Sequence, residues 1–239
     1  GIQGKNFETT SDVVLVIDNS NSMYENDRMV QTKAAANAFV DALLTQGSAT
    51  RIAVVVFNDK VKQTGFYDYS NKEALKAYIN AVSMNEADGG TFTQLGIKTA
   101  RDLLKSSAST GLNKNIVLLS DGLPTWSYLA TGTATGTCTT WLFGTITHND
   151  GCDENTVKIN GCNYNEQAGN GTSADDGSIT LLLTCEHDKT KTETYTISHS
   201  YATIWEAQQA ANDGMTVFSI ALQAGTTGEN VLRACATNP

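Results

Sequence analysis

VVLVIDNSNSM, residues 13–23, is the stretch whose reading decides the fold. It begins as an unbroken run of aliphatic and β-branched residues, the pattern of a strand covered on both faces, and it stops at Asp18. Asp18, Ser20 and Ser22 then follow at alternate positions. In open α/β sheets, ligands gather just beyond the C-terminal ends of strands. One carboxylate and two hydroxyls at this spacing bring three oxygens toward one point. Such a set suits a hard cation such as Mg²⁺ or Mn²⁺.

The surrounding sequence extends the same architecture. Helical periodicity is expected over 27–45, 70–82, 93–105, 201–211 and 229–236. Buried strands are expected over 12–18, 51–57, 115–120 and 215–222, with an antiparallel edge strand over 60–67. Ser70 and Glu73 have the spacing of a helix-opening capping box. Strands alternating with helices of this length give an α/β fold, a doubly wound, mostly parallel sheet flanked by helices. The chain of 239 residues reads as one domain, 1–239, with an insertion over 125–198.

Between Pro124 and Ser198 the alternation breaks into a Thr-, Gly- and Asn-rich segment. It holds nine acidic residues against three lysines, a net −6 of the chain's −9. A β-hairpin is expected over 179–185 and 193–199, and a further strand over 141–147. Cys138, Cys152, Cys162 and Cys185 fall in this segment, and Cys235 near the C-terminus is left over. Four clustered cysteines without C-x-x-C spacing read as two disulfides rather than a zinc site, with the pairing open. Disulfides imply an oxidising, extracellular setting and staple a segment too small to bury its own core. The net charge argues against nucleic acid as a partner. No apolar run approaches the roughly 18 residues of a membrane span.

Three loops carry the chemistry: Asp18-x-Ser20-x-Ser22, Thr91 behind Asp88-Gly89-Gly90, and Asp121-Gly122 at the end of a later strand. A doubly wound sheet places all three on one edge, near its topological switch point. The set DNSNS, GGT and SDG resembles the metal-ion-dependent adhesion site of von Willebrand factor A domains, the fold shared with integrin inserted domains. That resemblance implies that Ser20, Ser22 and Thr91 ligate Mg²⁺ through their hydroxyls, with Mn²⁺ or Ca²⁺ as substitutes. It implies that Asp18 and Asp121 act mostly through bound waters. It also implies that movement of Thr91 is coupled to the last helix. Asn19 stands where such domains usually carry glycine. The phrase DGLPTWSY and the insertion look similar to A domains of Gram-positive pilus adhesins, and LRACATNP to A-domain proteins of type IV and related pili.

Neutral hydroxyl ligands leave a divalent cation most of its charge, so an open coordination position attracts a partner's carboxylate. The expected function is therefore adhesion to host extracellular-matrix or surface glycoproteins, of the fibronectin, fibrinogen or collagen class. The setting is a larger pilus or surface protein outside a bacterial cell, and the chain is not an enzyme. Two other functions compete: carbohydrate binding through an insertion bearing Trp126 and Trp141, and an aspartate-based phosphohydrolase. The latter lacks the second acid, because position 20 is serine, and no P-loop or Ser–His–Asp arrangement is visible. Trp126 and Trp141 are equally suited to packing the insertion onto the domain. His148, His187 and His199 read as surface histidines.

Overall fold

A computed structural model describes residues 9–84, 89–135, 157–172, 174, 177–184 and 191–238. Successive side chains of β1 (Ser11–Asp18) enter two different cores. Val14 and Val16 pack on one face of the sheet with Ala53, Val55, Ile97 and Leu104, while Val13, Leu15 and Ile17 pack on the other with Val40, Leu75 and Ile79. That two-sided burial is why the run shows no polar alternation. The sheet order is β3 (Val61–Gln63), β2 (Thr50–Phe57), β1, β4 (Asn113–Ser120), β9 (Thr216–Ala221). All pairs are parallel except β2 with β3. Helices α1 (Arg28–Leu43) and α2 (Lys72–Ala81) cover one face, and α3 (Thr93–Lys105), α4 (His199–Asn212) and α5 (Gly225–Cys235) the other.

The expected parallel sheet and helices are present, with ends shifted by a few residues. The edge strand is shorter than expected, three residues with an isolated bridge from Ile52 to Tyr67. The capping box differs too. A single 3₁₀ turn, Tyr69–Asn71, precedes α2, and the reciprocal pair is Asp68 with Asn71 rather than Ser70 with Glu73. The Asp68 carboxylate accepts from both the backbone N–H and the hydroxyl of Ser70. A charged acceptor outcompetes the hydroxyl for the free N–H groups.

At the opposite edge from the candidate site, Asp12 is almost fully buried beneath the start of β1. Its carboxylate accepts from Arg51 Nε at 2.9 Å and Nη2 at 2.8 Å, from Ser109 Oγ at 2.8 Å and from Gly111 N at 2.8 Å. Burial pushes its pKa up, but Arg51, Gly111 and Ser109 outweigh it and hold the carboxyl below its usual range. Asp12→Ala is expected to cost about 3 kcal/mol in a urea melt, because it leaves the Ser109 hydroxyl and the Gly111 N–H without an acceptor and Arg51 without its carboxylate. The wild-type advantage is present above the unfolded-state pKa and is lost as pH falls through the lower folded value. A loss under about 1 kcal/mol at neutral pH contradicts this account.

Between β4 and α4 lies a second, four-stranded sheet, ordered β6 (Val157–Gly169), β5 (Trp126–Thr135), β7 (Gly177–Thr184), β8 (Lys191–Ile197). β7 and β8 form the expected hairpin; β5 and β6 were not anticipated as strands. The expected strand over 141–147, together with Trp141, Cys138, Cys152, Cys185, His148 and His187, lies outside the described residues. Among the described residues, Cys162 and Cys235 are free thiols, so Cys162 takes no part in the expected stapling. His199 is fully buried, not on the surface, because its Nδ1 meets Ser127 Oγ at 2.8 Å.

Candidate metal centre

β1 and β4 are neighbours in register, Ile17 opposite Leu119, so Asp18 and Ser120 emerge side by side. The chain leaves β1 toward β2 on one side while β4 adds on the other, which makes this pair of strand ends the topological switch point. Asp18 is completely buried. Its Oδ1 accepts the Ser20 N–H at 2.8 Å and its Oδ2 the Ser120 hydroxyl at 2.7 Å. Burial, reinforced by the nearby Asp121 carboxylate, pushes the Asp18 pKa up to about 6 against the bonds from Ser120 and Ser20.

Ser20 begins a 3₁₀ turn, Asn21–Tyr24, yet its hydroxyl makes no capping bond. It lies 3.2 Å from the Ser22 hydroxyl instead. The two hydroxyls are thus spent on each other rather than on the backbone, the arrangement open to a shared cation. Asn19, at the position expected to be glycine, is buried and tied to its surroundings. It accepts from the Tyr24 hydroxyl, donates to Ser83 O at 3.4 Å, and its N–H donates to Phe57 O at 2.7 Å.

Thr91 reaches the same edge from a different loop. α3 sits close on β1 and β2 because residue 96 is glycine: a Cβ there would fall 2.6 Å from Phe57 Cδ1. The Phe92 N–H donates to Asn58 O at 2.9 Å, which fixes the loop to the end of β2. Neither Thr91 nor Thr93 caps α3; its N-cap position is Phe92, with no side-chain bond. Thr91 is buried, and its backbone is strapped to the entrance of the second sheet. Its N–H donates to Thr125 Oγ1 at 2.8 Å, and its carbonyl accepts from the Thr125 N–H at 2.8 Å and the Trp126 N–H at 3.2 Å. Gly90 allows this approach, since a Cβ there would lie 2.6 Å from Gly171 Cα.

Asp121 is buried beyond β4, and its Oδ2 accepts from Arg28 Nη1 at 3.1 Å. Among the described residues no three His, Cys, Asp or Glu side chains cluster, so a cation here would depend on hydroxyls as well as carboxylates. Such an all-oxygen set with few charges fits a hard divalent ion.

Residues 12–134, just over half the chain, match the von Willebrand factor type A domain. The chain belongs to that family. The A domain is 37% identical over 123 residues to the minor fimbrium subunit Mfa5 of Porphyromonas gingivalis, a match covering 49% of this chain and 9% of that protein. The crystal structure of the vWF domain of Mfa5, a type V pili tip protein, superposes with a TM-score of 0.65 at 22% identity, covering 96% of this chain and 87% of that one. The pilus adhesin SpaC of Lactobacillus rhamnosus GG gives a TM-score of 0.69 at 18% identity over 97% of this chain and 28% of its own. Proximal thread matrix protein 1 of the mussel byssus, solved with a zinc-occupied MIDAS motif, gives 0.53 at 18% identity over 96% of this chain and 42% of its own. The likeness to these solved structures shows the fold. The domain spans less than a third of Mfa5 or SpaC as whole chains.

Sequence reasoning placed Asp18, Ser20, Ser22, Thr91 and Asp121 at one edge of the A domain; the structure links Asp18, Ser20, Ser22 and Asp121 through Ser120 and Arg28, and holds the Thr91 loop to the end of β2 through Phe92. It missed Ser120, Thr125 and Arg28. Ser120 had a signal, a lone hydroxyl ending an apolar strand beside Asp121. Thr125 and Arg28 act across 34 and 93 residues of sequence, and no local pattern marks them.

Proposed function

We propose that this A domain is a metal-dependent adhesion module. The reading is carried by one observation: the Ser20 and Ser22 hydroxyls face each other at 3.2 Å beside the buried Asp18, with neither spent on a helix cap. Ser20, Ser22 and Thr91 would hold a divalent cation through hydroxyls, with Asp18 and Asp121 supplying carboxylates directly or through water. The oxygen-only set favours Mg²⁺, with Mn²⁺ or Ca²⁺ as substitutes. A cation so held supplies Lewis acidity toward an incoming carboxylate. These side chains would orient the cation, with Asp18 fully buried away from bulk water.

The partner class is an extracellular-matrix or surface glycoprotein offering a Glu or Asp side chain, and the setting is a pilus or surface protein outside a bacterial cell. Relatives that are pilus tip proteins and pilus adhesins support this setting. Carbohydrate binding through the second sheet is the lesser reading. Trp126 is half-buried, with its indole packed close against Gly171, as a packing residue would be. The test is a solid-phase panel of fibronectin, fibrinogen, collagens and glycans, run with Mg²⁺ and with EDTA. Wild type is expected to bind a protein ligand only with Mg²⁺, and Ser22→Ala to lose at least tenfold in affinity, about 1.4 kcal/mol. Binding that survives both EDTA and Ser22→Ala ends the metal reading, and binding confined to glycans favours the other.

A further inference from the structure

Arg28 is the one cation in contact with the site's acids among the described residues. It opens α1, and only 16% of its side chain is exposed. Its Nη1 donates to Asp121 Oδ2 at 3.1 Å and to the carbonyl of Ser22 at 3.0 Å, touching two of the three loops at once. Its other acidic neighbour, Glu25, is 3.7 Å away and largely exposed. Its Nε is buried without a hydrogen-bond partner. A guanidinium with an unpaired donor, held against a carboxylate at the rim of an anion-seeking site, is not there for fold stability alone, since a neutral donor would satisfy Asp121 at lower desolvation cost.

We propose that Arg28 sets the balance of the centre between cation and anion: it cancels the charge of Asp121, so the site holds its metal more loosely and a partner's carboxylate more tightly. This rests on the metal reading above. Two carboxylates, Asp18 and Asp121, would together offset a divalent ion, leaving nothing for a partner to bind. With Asp121 neutralised by Arg28, the donor set carries one net negative charge, and the loaded centre stays positive.

Mn²⁺ binding, followed by the loss of the free-ion electron paramagnetic resonance signal, tests this without any adhesion assay. Arg28→Gln keeps donors and removes the charge; Arg28→Lys keeps the charge and removes the fork. Arg28→Gln is expected to bind Mn²⁺ at least about fivefold tighter than wild type, the effect of one unit charge about 4 Å away under water-like screening. The Mn²⁺-loaded variant is expected to bind acetate, followed by water-proton relaxation, at least threefold more weakly. Arg28→Lys is expected within about threefold of wild type for Mn²⁺. Arg28→Met serves in place of Arg28→Gln if that protein does not fold. Equal or weaker Mn²⁺ binding by the neutral variant overturns the proposal and makes Arg28 a scaffold for Asp121, as does failure of both neutral variants to fold. A folded wild type that takes up no Mn²⁺ removes the metal reading itself, a result that looks different in the same titration.

Discussion

Asp18→Asn is expected to make the metal-free domain more stable and to abolish its stabilisation by Mg²⁺ or Mn²⁺. Asp18 is fully buried, and its pKa stands near 6 because burial and the Asp121 charge both disfavour ionisation. A carboxyl whose folded pKa lies above its unfolded value of 3.8 contributes stability that is full below that value and lost as pH rises through about 6. Ionising it at neutral pH therefore costs the folded state on the order of 3 kcal/mol, and the amide escapes that cost. The charged form is nevertheless the one a cation needs. A cation at a thousandfold excess over its dissociation constant stabilises the wild type by about 4 kcal/mol. For a chain of this length that is a rise on the order of 10 °C in melting temperature. Asp18→Asn is expected to show almost none of it. Paired thermal melts with EDTA and with Mg²⁺, at pH 5.5 and pH 7.5, read both effects. If metal-free wild type is no more stable at pH 5.5 than at 7.5 relative to the variant, the buried-carboxylate account is wrong.

The second large effect lies where the two sheets meet. Glu206 of α4 is completely buried, and three side chains converge on it. Tyr164 of β6 donates to Oε2 at 2.8 Å, Arg101 of α3 to Oε1 at 3.1 Å, and Gln94 Nε2 to Oε2 at 3.3 Å. Gln94 Nε2 also lies 3.3 Å from Cys162 Sγ, while its Oε1 accepts the Tyr128 N–H at 2.8 Å. Phe92, Tyr128 and Tyr164 stack beside this knot, with ring centroids 4.9 and 5.0 Å apart, and Lys98 lies over Tyr164. Glu206→Ala is expected to cost about 3–5 kcal/mol in a denaturant melt, since it strands the Tyr164 hydroxyl, leaves Arg101 only Asp213 as an acidic partner, and opens a void. Burial raises the Glu206 pKa despite its partners, so the pocket tolerates a neutral group better than an empty one. Glu206→Gln is therefore expected to cost roughly 1–2 kcal/mol. Equal losses for the two variants would mean that the carboxylate charge, not the hydrogen-bonded shape, holds the sheets together.

The parallel sheet was legible because its strands are buried on both faces and read as continuous apolar runs, VVLVI, IAVVVF and IVLL. Two loops of the centre were legible because Asp18, Ser20, Ser22 and Asp121 stand just after those runs, and the third because a Gly-Gly pair delivers Thr91 to a helix start. The second sheet resisted. WSYLATGTAT and VKINGCNYNEQAG alternate small and polar residues, and few of their described side chains beyond Ser127, Tyr128 and Ala130 are buried. Register shifts after Tyr128 and Thr131 break the two-residue period further. His199 was misplaced for the same reason: burial by a partner 72 residues away leaves no local trace.

That last pairing has a wider consequence. Ser127 and His199 clasp the two ends of everything that departs from β4 and returns at α4. A segment whose ends are held at a fixed gap can lengthen or shorten at an entropic cost that grows only with the logarithm of its length. Changes of loop length between those two ends are therefore expected to leave the host sheet folded, with the Ser127–His199 contact closing the gap whatever the loops contain.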